Sequence, residues 1–263
     1  MSSKRRAGWQ PAVLRADDDY EIWSLPQIVW VDPSPAAFRP RGGGAQPGTP
    51  QIILNYARVA REPWRLKAVI DNQGLAISSR FVAFRPKPGG PTLKSLWAVL
   101  NSPVANAYAY CFSGKRETLV KEWRAFPLPA ISPAGESAIA AAADHYLALV
   151  KAAEDSFMQN SDRNAIRSAL RAVDAEVLRL YDLPPRLERQ LLDLFAGVER
   201  KGVGCEFGGY YPEGLDAFVP LHELLSEEYS RSTAENLRRS HVPLTQGSVL
   251  NALRMAASQV AEG

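Results

Sequence analysis

The sequence predicts an α+β fold, in which a mixed α/β domain at residues 20–130 is followed by an α-helical region at residues 134–263. In the first half, short apolar runs alternate with polar residues and are bounded by Pro and Gly, as in half-buried strands. After residue 134, apolar residues recur at the 3.6-residue helical spacing. The length of 263 residues accommodates one large domain or two of ordinary size.

The N-terminal part predicts little regular structure before residue 20. Residues 1–19 form a basic and then acidic tail, and no apolar run follows its first basic residues, so we do not expect a secretory signal here. Residues 20–31, YEIWSLPQIVWV, fit one or two short strands because aromatic and β-branched residues dominate. Residues 32–50 are dense in Pro and Gly and predict a loop.

A compact β segment with two helices comes next. Strands are predicted at residues 51–56, 66–70, 75–78 and 80–85. The turn residues 71–74 include Gly74, which can take a positive φ. Thr92 is the expected N-cap of a helix at residues 92–101, and residues 104–112 fit a second short helix.

The second half predicts long helices. The runs lie at residues 135–158, 161–181 and 185–196, the last with Pro in its first turn. Residues 200–219 are rich in Gly and aromatic residues and predict irregular structure. Two further helices fit residues 220–230 and 244–261.

Charge is distributed unevenly between the two halves. The whole chain carries a net charge of +3, with 46% hydrophobic and 22% charged residues. Residues 1–130 hold 18 Lys and Arg against 9 Asp and Glu, whereas residues 131–263 hold 13 against 19. A net +9 half joined to a net −6 half suggests one part that faces a polyanion and another part with a different task.

No pattern of residues predicts catalysis or a metal site. The three histidines, His145, His222 and His241, lack the spacing of zinc ligands. The two cysteines, Cys111 and Cys205, are far apart and fit small apolar core positions. Neither a GxSxG elbow nor a GxxxxGK[ST] phosphate loop is present. Asp32-Pro33-Ser34-Pro35 lacks the aromatic residue that would stack on an extruded base, so it predicts a turn.

Basic and aromatic side chains interleave around the predicted strands of the first half. Arginine binds phosphate with two hydrogen bonds and can also pair with guanine O6 and N7. The stretch from Arg58 to Lys67 lies between two strands, where a loop facing a nucleic-acid groove is expected. Arg80 fits the solvent face of a strand equally well, and Trp64 fits the core. The candidate DNA-binding residues are Arg58, Arg61, Trp64, Arg65, Lys67, Arg80, Lys115 and Arg116.

The order of motifs in residues 50–130 resembles the target-recognition region of bacterial N6-adenine DNA methyltransferases and of type I restriction specificity subunits. A strand leads into a basic loop, and a strand pair ends in the phrase at residues 79–86. A helix with Leu100-Asn101-Ser102-Pro103 follows, and a second basic loop precedes Phe126-Pro127-Leu128-Pro129. Residues 173–195 and, further on, GYYP and FVPLHEL at residues 209–224 resemble the helical stretch that follows such regions.

The resemblance implies an α/β recognition domain with a helical spacer that docks on a partner. Adenine methyltransferases bind S-adenosylmethionine through a glycine motif and hold the target base with an Asn/Asp-Pro-Pro-aromatic motif. Both motifs are absent from this sequence, so S-adenosylmethionine is expected only on a partner chain. We therefore expect a cytoplasmic, sequence-specific module that binds double-stranded DNA without crossing a membrane. It would work with a separate methyltransferase or restriction subunit and have no active site of its own. The alternative is a helical adaptor of a defence complex, which would lack salt-dependent DNA binding.

Overall fold

The computed structural model describes residues 2–15, 20–34, 48–112, 120–154, 160–212, 214–215 and 218–240. It has the predicted α+β class, with helices and small sheets. The chain divides into two compact units, Met1–Pro220 and Leu221–Gly263. The predicted boundary between residues 130 and 134 stays a prediction.

The first sheet has the strand order β2-β1-β5. Its strands are β1 Gln10–Val13, β2 Ile28–Val31 and β5 Ala76–Ile77. β1 is antiparallel to β2 and parallel to β5. The structure thus places a central strand inside the segment that the sequence assigned to a tail. Pro11 does not interrupt the pairing of β1 with β5, because β5 pairs only with Ala12 and Val13 and does not extend to Pro11.

The second sheet is antiparallel, with the strand order β4-β3-β6. Its strands are β3 Gln51–Asn55, β4 Ala68–Asp71 and β6 Phe81–Phe84, which confirms three of the predicted strands. All of β3 is buried. After β4, the Asp71 carboxylate accepts hydrogen bonds from the backbone N–H groups of Gln73, Gly74 and Leu75. Gly74 is required here, since its φ is +66° and a Cβ would lie 2.3 Å from the nitrogen of Thr49.

A series of helices follows the second sheet in the first unit and ends at residue 193, and its first helix packs on β3 and β4. They are α1 Leu93–Asn101, α2 Pro103–Phe112, α3 Val120–Trp123, α4 Pro133–Glu154, α5 Asn160–Tyr181 and α6 Pro185–Asp193. The predicted N-cap is confirmed, because the Thr92 hydroxyl accepts from the backbone N–H of Ser95 at 3.3 Å. Residues 200–212, predicted to be irregular, contain no helix or strand.

Side chains of α1 fix the helix on the sheets. The amide of Asn101 accepts from the backbone N–H of Ala68 and donates to its carbonyl, both at 2.9 Å. Trp97 is buried and donates from Nε1 to the Ile22 carbonyl at 2.8 Å. Polar groups in this interior are therefore satisfied by backbone of β4 and of the segment before β2.

A buried ion pair joins α5 to the segment after α6 and, through it, to α1. A guanidinium nitrogen of Arg200 lies 2.5 Å from a carboxylate oxygen of Asp174 in α5, and Arg200 also donates to the Asn101 carbonyl in α1 at 2.7 Å. The Tyr210 hydroxyl donates to the Asp174 carboxylate at 2.8 Å. Burial raises the pKa of Asp174, and the adjacent Arg200 guanidinium opposes that shift. Residues 101, 174 and 200 are thus held together by charge-assisted hydrogen bonds.

The second unit begins with two helices. They are α7 Leu221–Leu224 and α8 Glu227–Ser240, separated by a break at which the Ser226 hydroxyl accepts from the Tyr229 N–H. The helix predicted at residues 244–261 lies outside the described residues. None of the helices in the described part of the chain has the length and apolar surface that a membrane crossing requires.

Candidate nucleic-acid interface

The connection between β3 and β4, residues 56–67, has two parts with different surroundings. We name residues 58–62 the outer half and residues 64–67 the inner half. Hydrogen bonds close the loop at its base, because the Val59 N–H donates to the Arg65 carbonyl at 3.1 Å. The Tyr56 N–H donates to the Arg80 carbonyl at 2.9 Å, so exposed Arg80 lies next to the start of the loop.

The outer half lines an open depression of about 550 Å³. Arg58, Arg61 and Glu62 contribute to it, together with Val59 and Ala60. The depression is completed by Lys201, which comes from the segment after α6. Arg61, Glu62 and Lys201 are exposed and Arg58 is half-buried. Three cations and one carboxylate therefore share a single concave surface.

Arg65, in the inner half, supports this surface from beneath. It is 8% exposed, and its guanidinium donates to the backbone carbonyls of Arg61, Glu62 and Ala109 at 3.1, 3.3 and 3.4 Å. It also stacks on the ring of Tyr110, 4.5 Å from the ring centre. Burial lowers the pKa of the Arg65 guanidinium, and the positive charge of Arg58 adds to that shift. Two backbone carbonyls of the outer half are thus fixed by one buried cation.

Two buried asparagines fix the backbone of the inner half. The Asn106 carbonyl oxygen accepts from the N–H groups of Arg65 and Leu66 at 2.8 and 2.9 Å. The Asn55 side chain accepts from the Lys67 N–H at 2.6 Å and donates to the Arg65 carbonyl at 2.9 Å. These amides satisfy the buried backbone of the inner half, so it is stable inside the protein without being a strand.

Lys67 is directed into the protein. It is 2% exposed, and its Nζ donates to the Tyr20 carbonyl at 2.8 Å, while the Tyr20 hydroxyl donates to the Lys67 carbonyl at 3.0 Å. A Cβ at Gly202 would lie 2.9 Å from the Lys67 Cε and 3.1 Å from a carboxylate oxygen of Glu21. Gly202 also has a φ of +76°, so the position next to Lys201 requires glycine for two reasons.

Trp64 lies in the core, 3% exposed. Its ring centre is 4.2 Å from that of Phe195 and 5.7 Å from that of Phe207. The buried guanidinium of Arg200 lies 4.1 Å from the Trp64 ring centre, within cation–π range. Trp64 therefore joins the inner half to the buried ion pair of Arg200.

The structure brings together only part of the predicted set. Arg58 and Arg61 share the depression, and Arg80 lies next to the loop; the inner-half residues Trp64, Arg65 and Lys67 are buried beneath it. Lys115 and Arg116 lie outside the described residues. Sequence reasoning missed Lys201, Glu62 and Tyr110. Glu62 was within reach, since it interrupts a basic run, but no local signal connects Lys201 to a loop so far away in the chain.

The depression presents three cations, which suits an anionic ligand. Guanidinium and ammonium groups at an exposed surface bind phosphate oxygens. No group of three His, Cys, Asp or Glu side chains placed to hold a metal ion occurs among the residues that the structure describes.

The similarity of the chain to known proteins is distant. No protein-family model matches the chain, and no curated protein matches it. Among solved structures, the chain is similar to the Type IIL restriction-modification enzyme MmeI in complex with DNA, with 13% sequence identity and a TM-score of 0.39. The match covers 52% of this chain and 19% of the enzyme chain. The matched part thus spans far less than the length of that enzyme.

Proposed function

We propose that this chain is a sequence-specific DNA-binding module of a bacterial DNA-modification or restriction-modification system. The observation that carries the proposal is the depression in which Arg58, Arg61 and Lys201 converge, with Arg80 next to the loop. In this function, cations at the surface contact backbone phosphates and set the position of the duplex, while side chains of the loop read base edges.

The buried inner half supports the proposal because it pre-organises the outer half. Arg65 holds the carbonyls of Arg61 and Glu62, and Asn106 holds the backbone that follows. A loop that is already fixed loses less conformational entropy when it binds, so more of the contact energy appears as affinity. In this proposal Arg58, Arg61 and Arg80 contact DNA, whereas Trp64, Arg65 and Lys67 position them.

The chemistry of modification is assigned to a separate adenine methyltransferase or restriction partner. The sequence lacks the cofactor glycine motif and the Asn/Asp-Pro-Pro-aromatic motif, so S-adenosylmethionine belongs on that partner. Residues 131–263 carry a net charge of −6, so apart from Lys201 at the depression they are proposed to contact protein rather than DNA.

The test is binding of the purified chain to a pool of random-sequence duplexes, followed by sequencing of the retained DNA. Anisotropy is measured over a salt series from about 50 to 200 mM, since each phosphate contact contributes a slope of about −0.9 in log K against log salt. An enriched motif with a steep slope is the expected result. Absence of binding at low salt overturns the proposal and favours the helical adaptor.

The double variant Arg58→Gln/Arg61→Gln assigns the binding to the depression. If each arginine contacts one phosphate, the slope becomes less steep by about 1.8. The matched control is Arg163→Gln/Arg186→Gln, which removes two exposed cations from α5 and α6. Equal slopes for the two double variants would place the DNA elsewhere on the surface.

A further inference from the structure

A second cluster of cations lies on the first sheet, away from the depression. Residues 3–9 form a loop whose two ends are fixed on the sheet. At one end the backbones of Ser2 and Trp30 exchange two hydrogen bonds, at 2.9 and 2.7 Å. At the other end the Trp9 N–H donates to the Arg6 carbonyl at 3.1 Å, immediately before β1 begins. The basic residues of this segment are therefore held in a closed loop.

Two arginines of this loop lie over tryptophan rings. The Arg5 guanidinium is 5.6 Å from the ring centre of Trp30, and the Arg6 guanidinium is 4.7 Å from that of Trp9. Lys4, Arg5 and Arg6 are all exposed, and the two tryptophans are half-buried. A guanidinium whose face rests on an indole keeps its N–H groups at the edge of its plane, so they remain able to bind oxygen atoms.

The loop also lacks local carboxylates. Residues 2–15 contain four cations and neither Asp nor Glu. Within the described ranges, Lys4, Arg5 and Arg6 form no ion pair with a carboxylate. The acidic run at residues 17–19 lies outside the described residues. Among the described residues, these exposed cations have no carboxylate partner that would compete with an external anion.

The cluster and the depression are built from different elements. The cluster lies in the loop that precedes β1 of the first sheet, whereas the outer half connects β3 to β4 of the second sheet. No residue contributes to both surfaces, so each can be removed by substitution without changing the residues of the other.

We propose that Lys4, Arg5 and Arg6 form a second phosphate-binding surface for the backbone of DNA, independent of the depression. The inference rests on the proposed function, and it extends the DNA contact of that function to the first sheet. The tryptophans hold the two arginines in place, which lowers the entropy lost when each one binds a phosphate. The surface reads no bases, so it increases affinity for every sequence equally.

The experiment compares two triple variants of the full chain with the same loss of charge. Lys4→Gln/Arg5→Gln/Arg6→Gln removes the cluster, and Lys151→Gln/Arg163→Gln/Arg186→Gln removes three exposed cations from α4, α5 and α6. Each is titrated with one duplex over the salt series described above, and circular dichroism verifies the fold. We expect the slope of the first variant to become less steep by about 2 to 3, at about 0.9 per lost phosphate contact. The control keeps the wild-type slope.

The variant Arg5→Lys/Arg6→Lys tests the stacking. It keeps both charges but loses the planar group that rests on Trp30 and Trp9, so binding is expected to weaken several-fold while the recognised motif stays the same. A cluster variant that binds like the control variant overturns the inference.

The outcomes separate this inference from the proposed function. A wild-type chain that fails to bind DNA overturns both. If Arg58→Gln/Arg61→Gln weakens binding and the cluster variant does not, only the second surface is lost. If the cluster variant weakens binding and Arg58→Gln/Arg61→Gln does not, the depression is excluded as a DNA-binding surface and the cluster is supported.

Discussion

The outer and inner halves of the connection between β3 and β4 have similar compositions and opposite surroundings. The outer half carries Arg58 and Arg61 on an open depression. The inner half carries Arg65 and Lys67, which are buried and donate to backbone carbonyls. Both halves contribute two cations within a few residues.

The difference shows that interleaved basic and aromatic residues do not by themselves identify a nucleic-acid surface. What separates the halves is the supply of buried acceptors around the inner one. Carbonyls of Tyr20, Arg61, Glu62 and Ala109 each receive a hydrogen bond from a cation of the inner half. A long cation is stable inside a protein when such partners are in place, and otherwise it stays in water.

The largest expected effect follows from removal of the support beneath the inner half. Asp174→Ala leaves Arg200 buried without its carboxylate, and Arg200 in turn stacks on Trp64. Breaking a buried pair in this way costs about 3–5 kcal/mol of the free energy of unfolding. Urea denaturation measures it. Asp193→Ala, which breaks the pair between exposed Asp193 and half-buried Arg189, is the control and should cost less than about 1 kcal/mol. Similar losses in the two variants would contradict the role given to the buried pair.

A smaller effect is expected at the backbone of the inner half. Asn106→Ala removes the acceptor of the Arg65 and Leu66 N–H groups and leaves both buried. We expect a loss of about 2–3 kcal/mol in the free energy of unfolding, again by urea denaturation. Asn72→Ala, at an exposed position, should change it by less than about 0.5 kcal/mol. An unchanged stability in Asn106→Ala would mean that the backbone finds other partners.

Arg61 of the outer half and Arg65 of the inner half give the most direct comparison, because one is expected to affect DNA binding and the other stability. Arg61→Gln should weaken DNA binding by about 1–3 kcal/mol if its contact is to a base, and leave the free energy of unfolding unchanged. Arg65→Gln should lower the free energy of unfolding by roughly 1–3 kcal/mol, because the carbonyls of Arg61, Glu62 and Ala109 lose their donor. Anisotropy and urea denaturation on both variants give the two readouts. The distinction between the halves fails if the two variants show the same pattern.

The smallest expected effect concerns the single carboxylate of the depression. Glu62→Gln removes a negative charge beside Arg58, Arg61 and Lys201, so repulsion of phosphate decreases. Binding to unselected DNA should tighten by at most about 1 kcal/mol, measured by anisotropy at low salt. Glu228→Gln, an exposed change in α8, is the control. Weaker binding in Glu62→Gln would show instead that the carboxylate contacts the DNA.

The sequence predicted those strands and helix ends that depend on local residue patterns. The strands around residues 51–56 and 80–85 follow from alternation, and the N-cap at Thr92 follows from a hydroxyl that precedes an apolar run. β1 lies within residues 1–19, which the sequence predicts to be a tail, and its pairing with β2 and β5 depends on segments distant in the chain. Lys201 and the burial of Lys67 depend on contacts between distant segments, which periodicity cannot reveal.

The amide of Asn101 has a consequence beyond the anchoring of α1. β4 is the last strand on its side of the second sheet, and Ala68 lies on its outer edge. Exposed strand edges recruit further strands from other molecules and so promote aggregation. Here one side chain occupies both backbone groups of Ala68, in the way that a neighbouring strand would. A foreign strand finds neither donor nor acceptor at that residue, so the amide protects the sheet against unwanted extension.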